Sequence, residues 1–204
     1  MNFAAMMLVA IGLDLALGWP AWLYARIGHP VTWIGALIRR LDAGWNRDTA
    51  TDLPRRLAGV AAALVVIGAV AGVALALQLA LPSGWLGIAL GGVLAWPLVA
   101  VRSMYAHVAA VGAPLQAKDL DKARFAVSMI VGRNTAVLDG AGVARAAMES
   151  LAENTSDGIV APLFWGAVLG LPGIAAYKAI NTLDSMIGHR TPRFEAFGWA
   201  SARI

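Results

Sequence analysis

Leu57–Leu81 is an unbroken run of twenty-five residues without a charge, and Gln78 is its single strongly polar side chain. Wound as an α-helix, such a run reaches roughly 37 Å, more than the ~30 Å hydrocarbon core of a bilayer. No soluble core needs that length, so the run crosses a membrane with some tilt. Pro82-Ser83-Gly84 then turns the chain and Trp85–Val101 returns it, with Trp85 and Trp96 suited to interfacial depth. Phe3–Trp19 is a further span. It lacks the basic start of a signal peptide and holds Asp14 within its apolar run, so it reads as a retained helix. Composition agrees: 59% of residues are hydrophobic and 14% charged, against about 45–50% and 25% in soluble domains. Gly68-x-x-x-Gly72 and Gly87-x-x-x-Gly91 would let the hairpin between the second and third spans pack closely; association into a homo-oligomer is their alternative use.

Basic residues orient these spans. Pro20–Arg56 carries Arg26, Arg39, Arg40, Arg47, Arg55 and Arg56, and Arg102–Asp157 carries Arg102, Lys118, Lys122, Arg124, Arg133 and Arg145, while the Pro82–Gly84 turn carries none. Both long segments are therefore expected in the cytoplasm. The net charge of +4 belongs to them and calls for no nucleic-acid partner. Without cysteine, disulfides, thiolate metal sites and cysteine nucleophiles are excluded. Ile159–Ile180 is apolar as well, but a full crossing there would export Arg190, Arg193 and Arg203. Pro162 and Leu171-Pro172-Gly173 also interrupt it, which favours a re-entrant helical hairpin over about 158–187. The expected fold is one all-α integral membrane domain over 1–204. It has three transmembrane helices (about 3–19, 57–81 and 85–101), helical cytoplasmic loops (20–56 and 102–157) and this broken hairpin.

Chemistry concentrates where polar helix meets apolar segment. Glu149-Ser-Leu-Ala-Glu153-Asn154-Thr-Ser-Asp157-Gly158 crowds three carboxylates and an amide beside the hairpin. Ionised groups next to hydrocarbon cost several kcal/mol unless paired or coordinating. Arg145, Glu149 and Glu153 recur every four residues, so two readings are open. They are ordinary i,i+4 pairs on a solvated helix, or they form an acidic surplus which, with Asp157, supplies oxygen ligands to Mg²⁺. Upstream, Asp119–Val131 has apolar residues at helical spacing, with Arg124 and Ser128 four apart on an adjoining face. Gly132-Arg133-Asn134-Thr135 breaks that helix, either as a simple cap or as a turn in which Arg133 holds a phosphate. No G-x-x-x-x-G-K-[ST] loop occurs, so a nucleotide site here is not of the Walker type. Lys178, Asn181 and Ser185 share a helix face with Asp184 beside them. Lys178 either snorkels at the membrane edge or meets a reacting group. His29 opens an amphipathic helix as a base, a phosphate ligand or a plain interface residue.

Five stretches then resemble a known family in sequence and order. They are His29-Pro30-Val31 with Trp33-Ile34-Gly35, Ala123–Arg133, Glu149–Asn154 with Asp157-Gly158, Tyr177–Gly188, and Phe197–Arg203. Together they are similar to the CobD/CbiB family, the adenosylcobinamide-phosphate synthases of cobalamin biosynthesis. The resemblance implies a multi-pass enzyme of the bacterial inner membrane with its active face in the cytoplasm. It would use ATP and Mg²⁺ to join a carboxylate of the corrinoid adenosylcobyric acid to aminopropanol phosphate, or a similar amino-alcohol phosphate, as an amide. The implied catalytic groups are Glu149, Glu153, Lys178 and Asp184, with Glu149, Glu153 and Asp157 as metal ligands. Implied substrate and nucleotide ligands are His29, Arg102, Arg124, Ser128, Arg133, Asn154, Asn181, Ser185 and Arg203. The resemblance also implies further chain beyond Phe197–Arg203. Two other readings stay open: a non-catalytic regulatory relative of the same fold, which would lose part of the acidic cluster that is complete here, and a fragment or half of a split enzyme. A transporter would place polar residues at mid-membrane, where Leu57–Val101 has only Gln78.

Overall fold

Ten α-helices and no strand make up the computed structural model, which describes residues 1–204. In chain order they are α1 (Phe3–Leu17), α2 (Ala21–Ile27), α3 (Pro30–Trp45), α4 (Asp52–Ala80), α5 (Gly84–Ala95), α6 (Val101–Gln116), α7 (Leu120–Ser128), α8 (Gly140–Thr155), α9 (Ala161–Leu169) and α10 (Leu171–Ile187). Two stretches are long and apolar enough to cross a membrane: Asp52–Ala80 and Gly84–Gln116. A third crossing arises if Phe3–Leu17 and Ala21–Trp45, bent by 110° at their break, are taken as one. Alone, α1 rises roughly 22 Å, short of a full bilayer core. It ends at Gly18, whose φ of 58° only glycine adopts freely.

The axis of the molecule is the antiparallel pair α4–α10. At one end Gln78 turns its amide oxygen to the main-chain N–H of Leu171 (2.7 Å), capping α10. The single polar side chain of the long apolar helix thus satisfies a helix end that has no side-chain cap of its own. At the other end Gly59 lies so close to the Phe197 carbonyl that a Cβ would overlap it. Between them Ala62, Ala63 and Val66 of α4 pack with Ala179, Leu183 and Ile187 of α10, with Ile34 and Ile38 of α3, and with Phe197. A second core joins Met6, Met7 and Ala10 of α1 to α5 and to the start of α10. A third lies apart, where α6, α7 and α8 bury Val111, Ala123, Val127, Val143 and Ala146.

The glycine pairs act differently from the close α4–α5 hairpin that their spacing suggested. Gly91 and Gly92 of α5 receive Met6 and Val9 of α1, while no atom lies within 4 Å of a Cβ placed at Gly68 or Gly72. Helices α4 and α5 instead flank an apolar cavity of about 560 Å³, walled by Trp19, Trp33 and Trp96 near one end and by Leu77 and Leu171 near the other.

The broken hairpin is present as α9 and α10, turning at Gly170 with φ 73°. Gly173 fits against the Trp165 carbonyl, which lets the two helices close on each other. Residues 189–204 fold back as turns and a short 3₁₀ segment, Phe197–Trp199, against α4 and α10. Buried Asn46 fastens this tail: its amide donates to Asp42 (2.9 Å) and to the Arg193 carbonyl (3.0 Å), and its oxygen accepts from Arg55 Nε (2.9 Å). Arg193 in turn pairs with Asp42 at 2.8 Å. The tail and the α3–α4 link therefore lie at the same end of the molecule.

Candidate functional site

Between α8 and α9 the helix widens into a π turn, Ser156–Val160. Such turns are rare and cluster at functional sites. Asp157 lies in this turn and reaches α10. Its carboxylate accepts from Tyr177 Oη (3.4 Å) and from the Asn181 amide (3.3 Å). Tyr177 and Asn181 are four apart, so one face of α10 supplies both donors. Lys178, between them, lies within Coulombic reach of Asp157 and of His29. The Gly158 carbonyl accepts from the Ala100 N–H (3.1 Å), which seats the π turn on the start of α6.

His29 enters from the opposite side as the N-cap of α3. Its Nδ1 accepts from the Val31 N–H (3.2 Å), and Thr32 Oγ1 accepts from the His29 N–H (3.2 Å), a reciprocal capping box. The ring meets Trp19 edge-on at 5.0 Å, and Trp19 meets Trp96 at 5.4 Å. Burial, and then the positive charge of Lys178, lower the His29 pKa below its ordinary 6.5, opposed by a main-chain hydrogen bond at Pro97. The N-cap of α3, the π turn after α8 and the middle of α10 thus bring together His29, Asp157, Tyr177, Lys178 and Asn181.

The remaining candidates fall elsewhere. Arg133 and Glu149 meet each other at 2.6 Å, with about half of each side chain exposed (58% and 48%). The loop bearing Arg133 is pinned by Ser150 Oγ donating to the Ile130 carbonyl (2.8 Å) and Thr135 Oγ1 donating to the Arg124 carbonyl (3.1 Å). Arg124 itself donates to the Leu138 carbonyl (2.7 Å), Ser128 to the Phe125 carbonyl (2.7 Å) and Asn154 to the Ser150 carbonyl (2.8 Å). Arg102 closes the end of α1, donating to the Leu15 and Ala16 carbonyls (3.0 and 2.6 Å), while its N–H reaches buried Asp14 (2.9 Å). Glu153 is exposed, and neither it nor Arg145 enters an ion pair. Ser185 donates back to the Asn181 carbonyl (2.8 Å). Asp184 and Arg203 line a separate concavity at the end of α10.

No three histidine or acidic side chains converge as an all-protein metal cage, so Glu149, Glu153 and Asp157 do not form one cluster. Mg²⁺ needs no such cage when one or two carboxylates act with substrate phosphates. The Glu149 carboxylate, half-exposed beside a guanidinium, fits that simpler role. Tyr177 was not singled out by its residue type; its i,i+4 relation to Asn181 was the available signal.

A model of the CobD/Cbib protein family matches residues 7–204. "Cobalamin biosynthesis protein CobD" of Rhodobacter capsulatus is 72% identical over 204 residues, covering 100% of this chain and 64% of the relative. The proteins of the same name from Rhizobium meliloti and Geobacter metallireducens are 48% and 41% identical, covering 97% and 98% of this chain and 61% of each relative. The chain thus spans 61–64% of the length of these curated relatives. No solved structure matches it.

Proposed function

The chain belongs to the CobD/CbiB family, and from that premise we propose that it serves cobalamin biosynthesis as an amide ligase. A propionate carboxylate of adenosylcobyric acid is joined to an amino-alcohol phosphate with consumption of Mg–ATP, at the cytoplasmic face of a bacterial inner membrane. The observation that carries this reading is the Asp157–Tyr177–Lys178–Asn181 group, a carboxylate fixed by two donors near a half-buried ammonium. Enclosed charges of that kind are expensive to maintain for packing alone.

In the ligation a carboxylate oxygen attacks the terminal phosphorus and the bond to ADP breaks. The amine nitrogen then attacks the acyl carbon, phosphate leaves, and nitrogen sheds its proton. Lys178 is the point charge that neutralises the group in transfer, and Asp157 receives the proton. Tyr177 and Asn181 hold the Asp157 carboxylate in one orientation. Arg133 and Glu149 neutralise one another in the structure; with nucleotide bound, the guanidinium would hold phosphate oxygens and Glu149 would help hold Mg²⁺, which would supply charge neutralisation there. Arg102, Arg124 and Ser128 hold main chain and act through position.

The test is ATP-dependent amide formation by membranes carrying this chain, read by mass. Asp157→Asn and Lys178→Ala are each expected to lower the rate at least 100-fold at unchanged amounts of folded protein. Wild-type rates in both variants would refute the assignment. Arg133→Lys keeps the charge but loses the fork. Mg–ATP should then bind roughly ten- to a hundredfold more weakly, the equivalent of about 1.5–3 kcal/mol for a charged hydrogen bond.

A further inference from the structure

Helices α4 and α5 leave the Pro82–Gly84 turn toward different neighbours, α4 packing on α10 and α5 on α1. Between them lies the apolar cavity of about 560 Å³, lined by Ala69, Val73 and Leu77 of α4, by Val93 and Leu94 of α5, and by Leu171 of α10. Val73 and Val93 remain exposed (63% and 46%), so the cavity is a groove open along its side. Both helices belong to the stretches long and apolar enough to cross a membrane, which puts that opening at hydrocarbon depth. The indole donors at its far end are already spent. Trp19 gives its N–H to the Gly28 carbonyl (3.2 Å) and Trp33 to the Ile27 carbonyl (2.8 Å). An occupant of the groove therefore meets almost nothing but carbon.

A second feature narrows the choice of occupant. Gly68 and Gly72 each precede a lining residue, Ala69 and Val73, and so stand about 100° round α4 from them, on the rim of the groove. No atom lies within 4 Å of a Cβ placed at either. Glycine inside a helix weakens it relative to alanine, and a lipid tail would pack against alanine equally well. Small residues four apart instead let the main chain of another helix approach closely. A lipid tail accounts for the cavity and leaves the glycines without a reason, whereas a helix accounts for both. The relatives have chain enough to supply one. This chain covers 64%, 61% and 61% of the three described above, so more than a third of each lies outside the covered stretch.

We infer that the groove between α4 and α5 is the seat of an apolar transmembrane helix from the region that these longer relatives carry outside the covered stretch. Its main chain lies along Gly68 and Gly72, and its side chains fill the cavity. Trp19 closes the groove at one end and meets His29 at 5.0 Å, so the seated helix also walls one side of the candidate site. The inference rests on packing and on length, and it is independent of the ligase reading.

The experiment places the photo-crosslinking residue p-benzoylphenylalanine at position 73 of this chain, and at the matching position of the intact Rhodobacter capsulatus relative, in native membranes. In the intact relative the probe should join that position to the region outside the covered stretch, read by peptide mass. In this chain alone the same probe should form lipid adducts. Co-production of the relative's remaining region should lower those adducts at least tenfold and replace them with a joined product. Gly72→Leu in this chain should restore the lipid adducts, and its own melting temperature should not fall, because Gly72 faces open space. The intact relative decides the matter even if the two separate pieces do not join. Crosslinks there to lipid, to a second copy, or only to the covered stretch overturn the inference, and so does a joined product that Gly72→Leu leaves undiminished.

Discussion

His29 couples the start of α3 to the charge on α10, because its Nδ1 caps the helix only while that nitrogen carries no proton. Its pKa is lowered in the folded protein, first by burial and then by Lys178. The unfolded chain therefore binds the proton more readily, and stability rises with pH through this window. The contribution is complete above about 6.5, the ordinary histidine value, and is lost as pH falls from there to the lowered folded value. Thermal melting in detergent should show a stability decline below about pH 6.5 that His29→Asn abolishes, since asparagine caps equally well without titrating. A decline of the same size in the variant would assign it to other groups.

At the scale of the element, two glycines of α4 make opposite predictions. Gly59 abuts the Phe197 carbonyl, whereas Gly68 faces open space. Gly59→Ala should cost about 1–3 kcal/mol through overpacking against main chain, while Gly68→Ala should be neutral or stabilise by up to about 1 kcal/mol. Melting temperatures of the two variants check this, and a shift in the same direction would contradict the packing described. The same helices show what could be read in advance. Long apolar runs announced helices able to cross a membrane, and Leu171-Pro172-Gly173 announced the break before α10, because chain length and backbone restriction are local properties. The use of Gly68 and Gly72 was not local. Their spacing suggests a partner, but whether one arrives depends on how α1 and α10 pack. The acidic stripe has a related limit: its period relates Arg145, Glu149 and Glu153, but nothing in Ser156-Asp157-Gly158 signals the π turn that bears Asp157. Arg133 and Glu149 were singled out separately, and only the fold reveals that they meet.

For the molecule as a whole, sidedness follows from its contacts. Arg193 pairs with Asp42, and Arg56 stacks on Trp199, so the tail shares a side with Pro20–Arg56. If the basic segments lie in the cytoplasm, as the positive-inside rule predicts, a single cysteine introduced at Arg190 in this cysteine-free chain should resist membrane-impermeant maleimide in intact cells and react once the membrane is opened. Labelling in intact cells would rule out re-entry of α9–α10. The fastening of the tail also sets a timetable for biogenesis. Arg55 finds the Arg193 carbonyl 138 positions later, and Asp42 finds Arg193 151 positions later. At about 5–20 residues per second of synthesis, α4 waits for roughly 7–30 s before the chain that completes it has emerged. Throughout that interval the narrow face at Gly59, Ala62 and Ala63 is without its native cover, and Arg55 is without a native carbonyl partner. The long apolar helix is therefore made well before its native cover, and a cell producing this protein must shelter it meanwhile.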